Sequence, residues 1–211
     1  MPVLNRIAHF QNRRDEVPNQ ELARDLAAKK DKTGIREIAE NLWNKDKNIQ
    51  ADCIKVLYEV GYIEPKLVAE YAGDFVKLLK SRNNRLVWGG MIALGGVAKL
   101  SAVVVFKHFD EIKKAMDSGS VITKDNGVKV LADASSAETE YNKVMFPYLL
   151  NHLRSCRPKD VPQHSERILP AVNTSNKADF IRVLEKRMED LSGSGLARVK
   201  KVIKQVAAQD S

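Results

Sequence analysis

Cysteine, aromatic residues and long apolar runs are all scarce in this 211-residue chain, and each shortage narrows what it does. Two cysteines, Cys53 and Cys156, are too few and too far apart for a disulfide-stapled scaffold. A reducing, cytoplasmic setting is the plain expectation. Aromatics make up only 6% of residues, so extended strands built on rings are not indicated. No stretch approaches the roughly 20 apolar residues that cross a bilayer. Residues 1–10 hold no long apolar run, and the longest candidate, residues 92–106, is interrupted by Lys99 and Ser101, so no membrane association is expected. Catalytic signatures are missing as well. Neither G-x-S-x-G nor H-E-x-x-H occurs. The segment from Gly89 to Gly96 lacks the Gly-Lys-Ser/Thr ending of a phosphate loop and follows no strand. His9, His108, His152 and His164 show no metal-ligand spacing, and His108 and Asp110, two residues apart, diverge on a helix. No catalytic set, metal site or cofactor is therefore expected. Cys53 lies in an apolar frame and reads as an inert small hydrophobe, whereas Cys156, between Ser155 and Arg157, reads as more exposed.

What the chain does have is 44% apolar and 29% charged residues, enough for a packed core under a solvated surface. Its net charge of +8 is unevenly distributed. Residues 1–47 carry +2, residues 48–140 are neutral, and residues 141–211 carry +6. An anionic partner is thus expected to meet the C-terminal third.

The chain also repeats. Leu57, Leu94, Leu131 and Leu169 recur at steps of 37, 37 and 38 residues in similar local frames. Phe75, Ile112 and Leu149 form a second column at 37, and Leu67, Val104 and Tyr141 a third. Three columns with one period indicate stacked units, each with a short helix, a longer helix and a final helix carrying the leucine. Punctuation agrees: Pro65 suits a first turn, Asn83-Asn84 and Asp125-Asn126 suit the start of a final helix, and Ser192 to Gly195 breaks the last pair.

These columns, and the segments NIQADCIKVLYEV (48–60) and NRLVWGGMIALGGVA (84–98), resemble the armadillo and HEAT repeat superfamily over about residues 18–207. The third short helix makes the units more armadillo-like than HEAT-like. The resemblance implies an all-α, right-handed α-solenoid of about four to five armadillo/HEAT-like repeats. Residues 1–17 read as an irregular lead-in, 18–30 as a capping helix within the repeat domain 18–207, and 208–211 as a tail. The last pair departs from the period, with Ile203 as the counterpart 34 residues after Leu169. No His-Glu dipeptide occurs, which argues against the di-iron hydroxylases built from HEAT-like repeats.

In such folds the final helices line a concave face. Positions five before, two before and two after each leucine point away from it at about 100° per residue. The three columns read Asp52, Gly89, Asn126, His164, Arg198; then Lys55, Ile92, Lys129, Arg167, Lys201; then Glu59, Gly96, Asp133, Ala171, Gln205. Lys55–Glu59 and Lys129–Asp133 are i,i+4 opposite-charge pairs, while His164, Arg167, Arg198 and Lys201 lack an acidic partner within these columns. Gly89, Gly90, Gly95 and Gly96 sit in one helix, where each costs roughly 1 kcal/mol against Ala. Gly90 and Gly95 suit close helix packing; Gly89 and Gly96, beside Trp88 and Ile92, suit close approach of a ligand or peptide. The expected function is a non-enzymatic, macromolecule-binding scaffold, with a protein or peptide as partner. Its contacts are His164, Arg167, Arg198, Lys201, Lys129, Trp88, Gly89, Ile92 and Gly96. The alternative is nucleic-acid binding through the C-terminal basic patch, as in the HEAT-like alkyl-DNA glycosylases. Such a site would use Trp88, Asp52 or Asp125, and Arg167.

Overall fold

The computed structural model describes residues 2–208. Among these, helices and turns account for all regular structure. Residues 209–211 of the expected tail lie outside the described residues. Twelve α-helices follow one another: α1 (Val17–Lys29), α2 (Lys32–Glu40), α3 (Lys47–Ile63), α4 (Ala72–Leu78), α5 (Asn84–Val97), α6 (Ala102–Lys107), α7 (Phe109–Ser118), α8 (Val121–Ser135), α9 (Thr139–Ser155), α10 (Val161–Ile168), α11 (Lys177–Arg187) and α12 (Gly193–Ala207). The chain forms two compact units, residues 1–127 and 128–211, and the division falls inside α8.

Helix starts in the first unit follow from short polar side chains that take up orphan amides. Asp31 accepts from the Gly34 amide at 2.9 Å, Asp46 from Asn48 at 2.7 Å and Asn83 from Arg85 at 3.0 Å. The last of these matches the start expected at Asn83-Asn84. Pro65 opens a short 3-10 turn, Pro65–Leu67, as its fixed φ favours. The start expected at Asp125-Asn126 is wrong: α8 begins four residues earlier, at Val121, where the Ser120 hydroxyl accepts from the Thr123 amide at 3.3 Å.

The columns mark the core. Leu57 and Leu94, with Phe75 and Ile112, are fully buried in the first unit, and Leu131 and Leu149 in the second. At about 1.5–3 kcal/mol for each buried large side chain, these positions are what the period preserves. The fourth step is corrected. Leu169 is only half-buried and lies in a 3-10 turn after α10, whereas Ile168 is fully buried. The ladder therefore keeps a constant step of 37: Leu57, Leu94, Leu131, Ile168. Its last member slips in the same way, since Val202 is buried and Ile203 half-exposed. In the short-helix column Leu67 is buried as expected, but the later members are displaced by one. Val104 and Tyr141 are half-buried, while their neighbours Val105 and Asn142 are buried.

Three helices per unit holds only for part of the chain. The α6, α7 and α8 run has that form, but Tyr141 and Leu149 share one 17-residue helix, α9, and only a short 3-10 turn separates it from α10. The later units are thus two-helix, HEAT-like pairs. Asn142 compensates for its polar side chain in the second unit: its amide donates to the Ala171 carbonyl at 2.7 Å, and its oxygen accepts from Asn176 at 3.0 Å.

Within the expected lead-in, residues 1–17, the stretch from residue 3 to residue 9 packs against the helices, while residues 10–17 are exposed. Ile7 is fully buried. The Val3 and Leu4 amides donate to the Glu37 carboxylate at 2.9 and 3.0 Å, and the Ala8 amide to Asn19 at 2.9 Å.

Candidate functional site

The packed N-terminal segment changes what the first unit presents. The Asp52 carboxylate on α3 accepts from the His9 amide at 2.7 Å and from the Asn19 side-chain amide at 2.9 Å. Lys55, one turn further on, is buried between Glu16 at 2.6 Å and Glu59 at 2.7 Å, with its ammonium 4.8 Å from the Tyr58 ring centre. Burial alone would depress the Lys55 pKa, but its hydrogen bonds to Glu16 and Glu59 outweigh that and raise it above the ordinary lysine value. The expected Lys55–Glu59 pair is present and gains a third member from the N-terminal segment.

Between that segment and the helices lies a groove of about 750 Å³, entirely within the first unit. α3 contributes Asn48, Ala51, Asp52, Lys55 and Tyr58, and α5 contributes Arg85 and Trp88. Asn48 and Arg85, and Ala51 and Trp88, are repeat equivalents 37 residues apart. The lining positions thus fall nine and six residues before the buried leucine, in addition to the five and two expected. The N-terminal wall includes His9, Arg13, Arg14, Asp15 and Glu16. Much of this charge is internally matched: Arg13 bonds Asp15 at 2.9 Å, Glu16 holds Lys55, and Asp52 is hydrogen-bonded. Arg14 and Arg85 are exposed and have no ion pair among the described residues. The groove therefore combines a half-exposed indole with two available guanidiniums, Arg14 and Arg85.

The expected contacts fare differently at each position. Trp88 is half-exposed in the groove, and Ile92 is half-buried on the same helix. Gly89 is buried, not outward: a Cβ there would lie 3.0 Å from the Ile54 side chain, so it serves α3–α5 packing. Gly96 faces the Gly61 backbone at 3.5 Å, again a helix contact. Gly90, as expected, is tighter still, with the Phe75 carbonyl 2.9 Å from where a Cβ would stand. Asp125 and Asn126 lie inside α8.

In the second unit the one-residue slip of the ladder has a direct consequence. His164 is buried at 1% exposure and Ala171 at 1%, so neither belongs to a binding face. Arg198 is exposed but has an acidic partner that the expected columns omitted. Its guanidinium grips the Glu166 carboxylate with bonds of 2.8 and 2.6 Å. Glu166 occupies the position two before Ile168, where the misplaced ladder put Arg167. The Arg198 hydrogen bond holds Glu166 below the usual carboxylate range. Lys129 forms the expected pair with Asp133. Arg167 is half-buried and Lys201 exposed.

His164 instead meets two residues that spacing left unconnected. Its Nδ1 lies 3.0 Å from His152 Nε2, and the donor atoms of His152, Cys156 and His164 all lie within 4.8 Å of one another. The expectation of no metal-ligand cluster is thus corrected in geometry. The usable signal was the i,i+4 spacing of His152 and Cys156 at the end of α9, which puts both on one face.

No protein-family model matches the chain, and no curated protein matches it. Solved structures do. A crystal structure of an engineered protein aligns over 99% of this chain and 98% of its own, at 17% identity and a TM-score of 0.69. A designed armadillo repeat protein in complex with the peptide (KR)4 aligns over 89% and 86%, at 11% identity and a TM-score of 0.69. The fold is of the armadillo/HEAT repeat type. Kap121p bound to Pho4p aligns over 99% of this chain, at 12% identity and a TM-score of 0.66, and the chain spans 24% of Kap121p. At these identities the armadillo/HEAT likeness concerns architecture. Among the described residues, no helix of this repeat array is long and apolar enough to cross a membrane.

Proposed function

We propose that the chain is a non-enzymatic repeat module that binds an acidic, extended segment of a partner protein in the groove of its first unit. The observation that carries this reading is that Trp88, Arg14 and Arg85 line one groove in which Arg13 is paired with Asp15, Lys55 with Glu16, and Asp52 is hydrogen-bonded to amides. An indole gives an apolar side chain a rigid surface, and guanidiniums bind carboxylates in a planar fork. The similar designed armadillo repeat protein holds the peptide (KR)4, and Kap121p holds Pho4p, so repeat arrays of this architecture accept peptides and proteins. Here the groove side chains outside any ion pair and exposed to a ligand include the guanidiniums of Arg14 and Arg85, which favour peptide carboxylates. In the second unit, the exposed Lys200, Lys201 and Lys204 of α12 offer a further surface for an anionic partner. A cytoplasmic, reducing location suits two cysteines that are both free thiols.

Fluorescence anisotropy with a labelled octapeptide of alternating glutamate and leucine tests the groove. Binding is expected, weakening with added salt and falling at least tenfold in Arg85→Glu, with the (KR)4 peptide binding no better than background. Equal affinity for both peptides, or an Arg85→Glu titration like that of the parent, would refute the reading.

A further inference from the structure

We propose that His152, Cys156 and His164 form a binding site for one borderline-soft divalent ion, zinc being the best chemical match. Two features of the second unit bring them together. His152 and Cys156 stand one helical turn apart at the end of α9, where Cys156 leaves the helix with an extended backbone (φ −65°, ψ 160°). The chain then reverses through the turn Pro158–Asp160 into α10, whose second turn carries His164 back against His152. The imidazoles face each other with ring nitrogens 3.0 Å apart, and the Cys156 sulfur lies within 4.8 Å of both. Zinc sits about 2.0–2.1 Å from nitrogen and about 2.3 Å from sulfur, so tetrahedral donors stand roughly 3–4 Å apart. The three donors are therefore near that spacing already, and small rotations of the two imidazoles and the thiol would aim them at one ion.

The surroundings favour a defined site over a chance contact. His164 is almost fully buried, and His152 and Cys156 are half-buried. The backbone beneath the thiol is fixed by the buried Arg187. Its guanidinium donates to the Leu153 carbonyl at 2.7 Å and the Cys156 carbonyl at 2.9 Å, and is itself held by Asp190 at 2.8 Å. Two imidazoles and a thiolate select zinc-like ions over magnesium or calcium, which prefer oxygen. Binding is balanced by a single proton. The thiol proton passes to solvent, and the hydrogen between the imidazoles moves to the far nitrogen of its own ring. Three protein donors leave a fourth position for water or a donor from a bound partner.

Equilibrium dialysis of the chelator-treated full chain against zinc, in excess magnesium, tests the site, with cobalt as the spectroscopic probe. One zinc per chain is expected, and bound cobalt should show a sulfur-to-metal charge-transfer band. Cys156→Ser should remove that band and weaken zinc at least tenfold, as should His152→Ala, while Cys53→Ser leaves both unchanged. Because His164 is buried, helicity by circular dichroism is checked for every variant. The decision rests on the two half-buried positions. Zinc retention by folded Cys156→Ser equal to that of the parent, or cobalt bound without the sulfur band, would overturn the proposal.

Discussion

Gly90 and Gly96 lie on one helix, six residues apart, and their surroundings predict opposite responses to the same substitution. A methyl at Gly90 would meet the Phe75 carbonyl at 2.9 Å and Leu78 Cβ at 3.1 Å, both held by α4, so Gly90→Ala should cost about 1–3 kcal/mol. A methyl at Gly96 would stand 3.5 Å from the Gly61 backbone, an ordinary contact, so Gly96→Ala should be neutral or stabilise by up to about 1 kcal/mol. Urea unfolding of the two variants checks this, and equal midpoints would contradict it. The glycine cluster itself was plain in the sequence. Which glycines faced a neighbouring helix depended on the position of Ile54 and Gly61, which no periodicity within α5 reveals. His164 shows a sharper version of the same limit. Ile168 and Leu169 are adjacent apolar residues, and choosing the wrong one rotates every assigned side chain by about 100°. That single step turned a buried histidine into an expected surface cation.

Between elements, polar side chains hold neighbouring segments together. Asp52 ties the N-terminal segment to α3 through the His9 amide and connects to α1 through Asn19. Asp52→Ala removes two acceptors and leaves a buried amide poorly matched, a loss of about 1–3 kcal/mol. Hydrogen exchange should show amides of residues 8–9 opening while those of α5 keep their protection; uniform loss across the first unit would argue against a local clasp. Glu166 and Arg198 join α10 to α12 in the same manner. The Glu166 pKa is lowered by Arg198, so its stabilisation is complete above the unfolded-state value near 4.5 and is lost as pH falls through the lower folded value. Both side chains are nearly half exposed, which limits the pair to about 0.2–1 kcal/mol. Arg198→Gln should therefore destabilise at pH 7 and match the parent near pH 2, and a constant difference across that range would refute the linkage. The clasp was not legible in the sequence, because its anchors are backbone amides meeting carboxylates and leave no hydrophobic pattern. The ladder of Leu57, Leu94 and Leu131 was legible, because burial at one position per unit is what a stacked array requires.

At the scale of the molecule, the repeat period specifies both the core and the lining of the first-unit groove. Asn48 and Arg85, like Ala51 and Trp88, occupy equivalent positions in successive units and meet on one surface. The N-terminal segment then pairs Glu16 with Lys55 and leaves Arg14 and Arg85 outside ion pairs in the groove that Trp88 lines. Trp88 emission, read in a Trp43→Phe background so that it is the only indole, reports directly on the groove during titration with the alternating glutamate–leucine octapeptide. The account predicts a saturable shift or quench with the same midpoint as the anisotropy signal, lost in Arg85→Glu. Peptide binding by anisotropy with no change in Trp88 emission would place the peptide elsewhere and contradict it.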